Sequence, residues 1–400
     1  MLTVKTPGEV LDIVGNFTPV ESAADIVGLS GACGRVLAAD ITASEYVPGF
    51  DRSTVDGYAV IASDTFGSSD SIPAMLTLAG EVLMGAAAEA ALTPGTCIIV
   101  STGGDLPPGA NAVVMVEHTE DYGDGLIGIT RPAAPGNNII FKGDDVSPGD
   151  RVLAAGTVLA PHDIGILSAL GITAVNVRKR PIVGVISTGD ELIPPELTPE
   201  RGQVRDVNTP MLLAAVEKVE AATVNYGIIR DDEHALSNAV TRAAAECDVV
   251  LISGGSSAGM RDLTARVIET AGTLLFHGIA MKPGKPTILG TIDGKPIWGL
   301  PGHPVAAYFV TELFVKPLIA CLMGADFKRR TGVATISEAI PSNHGREEYI
   351  AVVLDGGTAR PIRGKSGLIA SLAHTDGYIS IPRDSEGIAK GDTVVVTYFA

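Results

Sequence analysis

Cysteine is scarce and scattered: Cys33, Cys97, Cys247 and Cys321 lie far apart with no C-x-x-C pair. That spacing offers neither a disulfide framework nor a zinc site, and it predicts reduced, buried thiols in a cytoplasmic protein. The opening MLTVKTPGEVLDIVGN lacks a basic start followed by an apolar stretch, so no secretory leader is expected. No uninterrupted apolar run has the length to span a bilayer. The G-x-x-x-x-G-K-[ST] pattern of P-loop nucleotidases is missing, as are internal repeats and low-complexity tracts. Positive charge is in deficit, with 29 Lys plus Arg against 46 Asp plus Glu and a net charge of −17. That balance argues against a surface built for nucleic acid or anionic lipid.

What remains is a chain of 400 residues, 46% hydrophobic and 19% charged, with material for several cores. The pattern predicts an α/β multidomain protein. Residues 1–46, with PGEVLDIVGNF at helix-like intervals, join 145–180, with HDIGILSALGI, as an N-terminal helical and linker domain. Residues 47–144 carry short β-type runs such as CIIV and AVVMVEH between Gly, Pro, Asp and Asn, as an inserted β-rich domain. From 181 to 324 strands and helices alternate, which predicts a doubly wound, mostly parallel sheet. Within it Asn208 is the expected cap of one helix, and another is expected to start near Asp262 and close at Gly272. Residues 331–400 return to short strands and turns, a small C-terminal β-barrel-like domain.

Open parallel sheets bind ligands beyond the carboxyl ends of their strands, and the unusual loops fall there. Gly254, Gly255, Ser256 and Ser257 follow the strand DVVLIS, with Gly259 and Asp262 beyond, a strand-to-helix turn suited to phosphate. Asp190 and Glu191 follow PIVGVIST, and Asp231 and Asp232 follow a third strand, where a helix cap accounts for one acid but not both. Carboxylates converging at one edge repel unless a hard cation sits among them, and Mg²⁺ shared with substrate phosphates fits that composition. Asp56-Gly57 reads equally as a hairpin turn or a site. Lys282 and Lys285 stand in GIAMKPGKPTILG, where Pro283 and Pro286 restrict φ and Gly284 opens conformations closed to other residues. At about 4 Å a unit-charge pair contributes about 4 kcal/mol at an effective dielectric near 20, and about 1 in water. Two lysines therefore need a recessed site to prevail over this acidic chain.

Taken together, VPGFDRSTVDGYAV, STGGDLPPGANAVVM, KGDDV, STGDEL, GIIRDD, SGGSSAGMRD, MKPGKP and LPGHPVAAYF resemble the molybdopterin molybdenumtransferases, the MoeA family, similar to the gephyrin E domain. The resemblance runs from about residue 5 to the end. It implies an enzyme of molybdenum cofactor biosynthesis that inserts molybdate into adenylylated molybdopterin, with Mg²⁺ assisting and AMP released. It implies functional roles for Asp56, Thr102, Asp145, Glu191, Asp231, Asp262, Lys282, Lys285 and Ser366. Asp231, Asp262 and Glu191 are the expected metal ligands, and Glu191 or Asp56 a general base or water-positioning group. Asp190, the glycine-serine loop and Pro301, Gly302 and His303 are expected to contact substrate. The third domain is then molybdopterin-binding, and the subunit pairs in a homodimer with a shared cleft. A molybdopterin adenylyltransferase and recipient molybdoenzymes are expected partners; nucleic acid and membrane are not. The family's GGVSVG appears as GGSSAG, its LPGNP as LPGHP, and Lys365 stands where glycine is usual. Tungstate in place of molybdate, or a non-catalytic cofactor-binding or scaffold protein, are the alternatives.

Overall fold

The computed structural model describes residues 4–18, 24–254 and 258–399, with backbone only for 258–262. Its centre is a six-stranded mixed sheet in the spatial order Ala222–Ile229, Ile182–Thr188, Val249–Gly254, Lys295–Leu300, Ile288–Ile292, Thr273–His277. The first four strands run parallel, Ile288–Ile292 runs against them, and Thr273–His277 pairs antiparallel to it. Strand alternation divides the core between the two faces. Val183, Val185, Val249, Leu251 and Trp298 pack on one side with Leu212 and Val216 of helix Asn208–Glu217 and with Phe309, Phe314 and Leu318. Ile186, Val250, Ile252 and Ile297 pack on the other with Leu236 and Val240 of helix Glu233–Glu246 and with Leu263 and Ile268 of helix Ala258–Ala271. Both faces are covered, as the near-continuous apolar strands require.

The described residues of 1–46 are not chiefly helical. The helix there, Pro7–Gly15, opens on a capping box between Thr6 and Glu9, and its Val10 and Val14 are buried in the core of the central sheet. Beyond it the chain is mainly extended. Ala24–Gly28 pairs antiparallel with Ala174–Arg178, and Ile41–Thr42 with Arg151–Leu153. Helix Pro161–Ala169 packs over this ribbon through Leu167, which joins Leu37, Leu159, Val175 and Val177. Helical periodicity therefore extends over nine residues, and the β-branched pairs at 26–27 and 175–177 enter a ribbon.

The inserted segment forms a six-stranded sheet in the order Ala112–Met115, Gly57–Val60, Thr96–Val100, Ala74–Glu81, Leu126–Ile129, Thr119–Asp121. At the C-terminus, Glu347–Asp355, Thr358–Pro361, Thr331–Ile336, Thr393–Tyr398 and Gly377–Ile381 close into a five-stranded barrel, the last pairing back to the first. Met281–Lys282 adds in parallel to that barrel at Glu347 and Glu348. The lysine loop therefore begins as a strand on the barrel and ends as a strand of the central sheet.

Pro304–Leu322 is long and apolar enough to cross a bilayer, yet 83% of its apolar window is buried inside the molecule, as in a core helix. Glu312 and Lys316 interrupt it and form a buried ion pair one turn apart, beside a π-type turn at Thr311–Val315. All four cysteines are free thiols. Cys97 and Cys247 are buried as expected, whereas Cys33 is exposed and Cys321 half-buried.

Candidate functional site

The carboxyl ends of the four parallel strands share one edge, and side chains lock their loops together. Thr188 Oγ1 donates to Asp231 Oδ1 at 2.7 Å, and the Asp231 backbone N–H donates to Asp190 Oδ1 at 3.3 Å. Asp232 is the helix cap, accepting from the Ala235 N–H at 2.8 Å, so Asp231 is the acid left for other work. Glu191 is exposed and folds back over the turn: a Cβ on Gly189 would lie 2.8 Å from its Oε2. Gly254 has a packing reason of its own, because a Cβ there would fall 2.2 Å from the Thr188 carbonyl oxygen.

Asn208 does not cap its helix. Asp206 Oδ1 does so, accepting from the Asn208 and Thr209 N–H groups at 3.1 Å each. The Asn208 side chain instead donates through Nδ2 to Ser253 Oγ at 2.7 Å and to the Gly302 carbonyl at 2.9 Å. It thereby ties the end of the third strand to the Pro301-Gly302-His303 turn. Helix Ala258–Ala271 begins before Asp262, which is an interior position and not a cap. Gly259 lies in its first turn, while Gly255, Ser256 and Ser257 fall outside the described residues. Among the described residues no three His, Cys, Asp or Glu side chains gather as a metal site, and the Asp262 carboxylate is not among them.

The turn at 301–303 opens into a cavity of about 720 Å³ between the lysine loop and the barrel. Lys282, Lys285, Pro301, His303 and Ser366 all line it. So do Arg346, Arg363, Lys365 and Glu348, making five Lys or Arg against one Glu. Lys282 pairs with Glu348, whose other oxygen accepts from Ser342 Oγ at 2.7 Å. Arg363 pairs with Glu338 at 3.4 Å. Among the described residues no carboxylate pairs with Lys285, Arg346 or Lys365. Gly284, at φ 115°, sits where a Cβ would meet Val310 and Met281 at 3.0–3.1 Å. A side chain there would be both strained and crowded. Both lysines line the cavity yet stay exposed, Lys282 with 65% of its side chain accessible, so the deep recess expected for them is not what the structure shows.

Asp56 and Thr102 form a pair at the inserted sheet, and Asp145 lies on the segment that pairs with Val47. Asp56 Oδ1 accepts from the Thr102 N–H at 2.7 Å, and Asp145 donates its N–H to the Val47 carbonyl at 3.1 Å. None of the three lines the basic cavity. The expected residues thus fall into two adjoining groups, joined by Asn208, with Asp56, Thr102 and Asp145 outside the cavity lining.

Sequence reasoning passes over Arg346, Arg363 and Glu348, and meets Lys365 only as a departure. The signal is present in RPIRGKSG, where Arg360, Arg363 and Lys365 crowd eight residues beside glycines. That is the same basic, turn-rich texture that marks the lysine loop.

Known proteins share this architecture from end to end. The MoeA N-terminal region (domain I and II) matches residues 6–171, the molybdopterin binding domain 184–320 and the MoeA C-terminal region (domain IV) 333–399. The folded class is therefore a multidomain protein built around a molybdopterin-binding-type α/β unit. The chain belongs to the MoeA family. A molybdopterin molybdenumtransferase 2 of Mycobacterium tuberculosis is 35% identical, over 92% of this chain and 94% of that one. A molybdopterin molybdenumtransferase of Staphylococcus aureus is 32% identical over 92% and 89%. The crystal structure of a molybdopterin biosynthesis MoeA protein from Pyrococcus horikoshii superposes with a TM-score of 0.88 at 37% identity, covering 99% and 100% of the two chains. Such full-length kinship with transferases makes this chain a transferase.

Proposed function

We propose that this protein works in molybdenum cofactor biosynthesis by inserting molybdate into adenylylated molybdopterin and releasing AMP. The observation that carries the reading is the cation-lined cavity adjoining a carboxylate-bearing strand edge. One holds an oxyanion and the other faces a nucleotide-tagged phosphate. Lys285, with no carboxylate partner among the described residues, holds the incoming molybdate, and Lys282 is positioned by Glu348 beside it. Two substrate thiols give their protons to one oxo group, which leaves as water while two Mo–S bonds form. One water then cleaves the phosphoanhydride, leaving a phosphate on the pterin side and AMP on the other.

Mg²⁺ fits the open oxygens at the edge. Asp231 Oδ2 has no hydrogen bond among the described residues, and Glu191 is exposed. One or two such carboxylates, completed by water and phosphate oxygens, suit that ion. Asp231 and Glu191, with Asp262 from the neighbouring helix, would hold it, and it would neutralise charge on the bridging phosphates. Thr188 fixes the orientation of Asp231 by its hydrogen bond.

Asp56, Thr102 and Asp145 would reach the cavity from a second copy of the chain, in a homodimer whose cleft is shared. Single-turnover release of AMP from adenylylated molybdopterin, with and without molybdate, tests the whole reading. AMP should appear only when both oxyanion and Mg²⁺ are supplied. A protein that binds both substrates and releases no AMP would leave a carrier and remove the enzyme.

A further inference from the structure

His303 precedes helix Pro304–Val310 but makes no capping hydrogen bond. Its Nδ1 lies 2.7 Å from Ser366 Oγ, and the Val305 N–H donates to the Ser366 carbonyl at 3.1 Å. One side-chain bond and one backbone bond thus fasten the barrel's 364–367 segment to the start of that helix. Gly367 packs against the ring, its would-be Cβ 3.8 Å from Cδ2. Nδ1 is occupied, whereas Nε2 has no hydrogen-bond partner among the described residues. The ring lines the same cavity as Lys282 and Lys285 of the lysine loop, Arg346 and Glu348 at the barrel strand, and Arg363 and Lys365 of the 362–372 segment. Of these seven groups, imidazole is the one whose ordinary titration range straddles neutrality.

We infer that His303 makes oxyanion capture in this cavity proton-linked and so sets its selectivity for doubly charged tetrahedral anions. With the ring neutral, the cavity presents five fixed cations against Glu348. A dianion offsets their mutual repulsion, and its arrival favours a sixth positive charge on the ring. Binding therefore draws in a proton, and by reciprocity a lower pH tightens binding. The Ser366 hydroxyl accommodates either state, accepting from an N–H or donating to a bare nitrogen. An asparagine at this place would keep a hydrogen bond to Ser366 and lose the added charge. This inference rests on the reading of the cavity as an oxyanion site.

Isothermal titration calorimetry of the full chain with molybdate, tungstate and sulfate, in two buffers of different ionisation enthalpy, tests it between about pH 6.5 and 8.5, around the imidazole range. Sulfate keeps its charge across that range. For the wild type, affinity for each dianion should rise about five- to tenfold as pH falls, with net proton uptake near neutrality. His303→Asn should bind with a pH dependence under about twofold and no proton uptake. Independently of any variant's stability, the His303 ring resonance of the wild type should titrate with a higher midpoint once molybdate is added. Equal proton uptake by His303→Asn, or a midpoint that molybdate leaves unmoved, overturns the inference while leaving the oxyanion site standing. A wild type that binds none of the three anions refutes the underlying reading instead, and the inference falls with it.

Discussion

At the scale of single residues, the site is made by side chains left without their ordinary partners. Lys282 is committed to Glu348, whereas Lys285 has no such commitment among the described residues. Replacing Lys285 with alanine removes a cation from the cavity lining, and a loss of about 10²-fold or more in single-turnover AMP release is expected, with an unchanged melting temperature. Equal rates for the two proteins would take Lys285 out of the reaction. The thiols offer a second check. Burial pushes the Cys97 thiol up to about 11, so its thiolate is almost absent at neutral pH. A disulfide reagent should label exposed Cys33 within minutes and leave Cys97 and Cys247 unreacted until urea unfolds the chain. Fast labelling of Cys97 in the native protein would contradict the packing of the inserted sheet.

At the scale of elements, polar residues in apolar segments separate what is legible in the sequence from what is not. The strands PIVGVIST and DVVLIS declare themselves by composition, because both of their faces are buried. Helix starts are less legible. Asn208 has the chemistry of a cap, but Asp206, two residues earlier, reaches the open N–H groups, leaving the amide to link Ser253 and Gly302. A local acid and a local amide compete for the cap, and the acceptors that draw Asn208 away come from segments distant in the chain. Glu312 and Lys316 put two charges into an apolar segment and are only 4% and 1% exposed. Burial lowers the Lys316 affinity for its proton, and the adjacent Glu312 carboxylate opposes that. Lys316→Met should leave the buried Glu312 carboxylate without its cation, with Tyr308 still beside it, and lower unfolding free energy by about 3 kcal/mol in urea melts. The double variant Glu312→Leu with Lys316→Met should recover most of that loss, because the cost of burying two charges disappears with them. A double variant no more stable than Lys316→Met would mean that the pair does more than neutralise itself.

At the scale of the whole molecule, the sequence locates the loops and leaves their assembly open. The central α/β unit and the small C-terminal barrel follow from periodicity and turn spacing. The ribbon formed by Ala24–Gly28 and Ala174–Arg178 does not, because its two strands lie far apart in the chain, on either side of the insertion. Of the candidate site, Lys282, Lys285, His303 and Ser366 line one cavity, and Arg346 and Arg363 join them from the barrel. Asp56 and Thr102 stay apart within one chain, which gives a prediction at this scale. Asp56→Asn and Lys285→Ala proteins, each inactive alone, should regain about a quarter of wild-type activity per site when co-expressed as hybrids, if opposite chains complete each cleft. Failure to complement, with hybrid dimers verified by mass, would place both residues in one subunit's chemistry.

The short pairing of Met281–Lys282 with Glu347 and Glu348 has a mechanical consequence. The barrel and the lysine loop are laced by backbone, so tilting one tugs the other. Anything that levers the barrel outward would displace Lys282 and Lys285 in the same stroke.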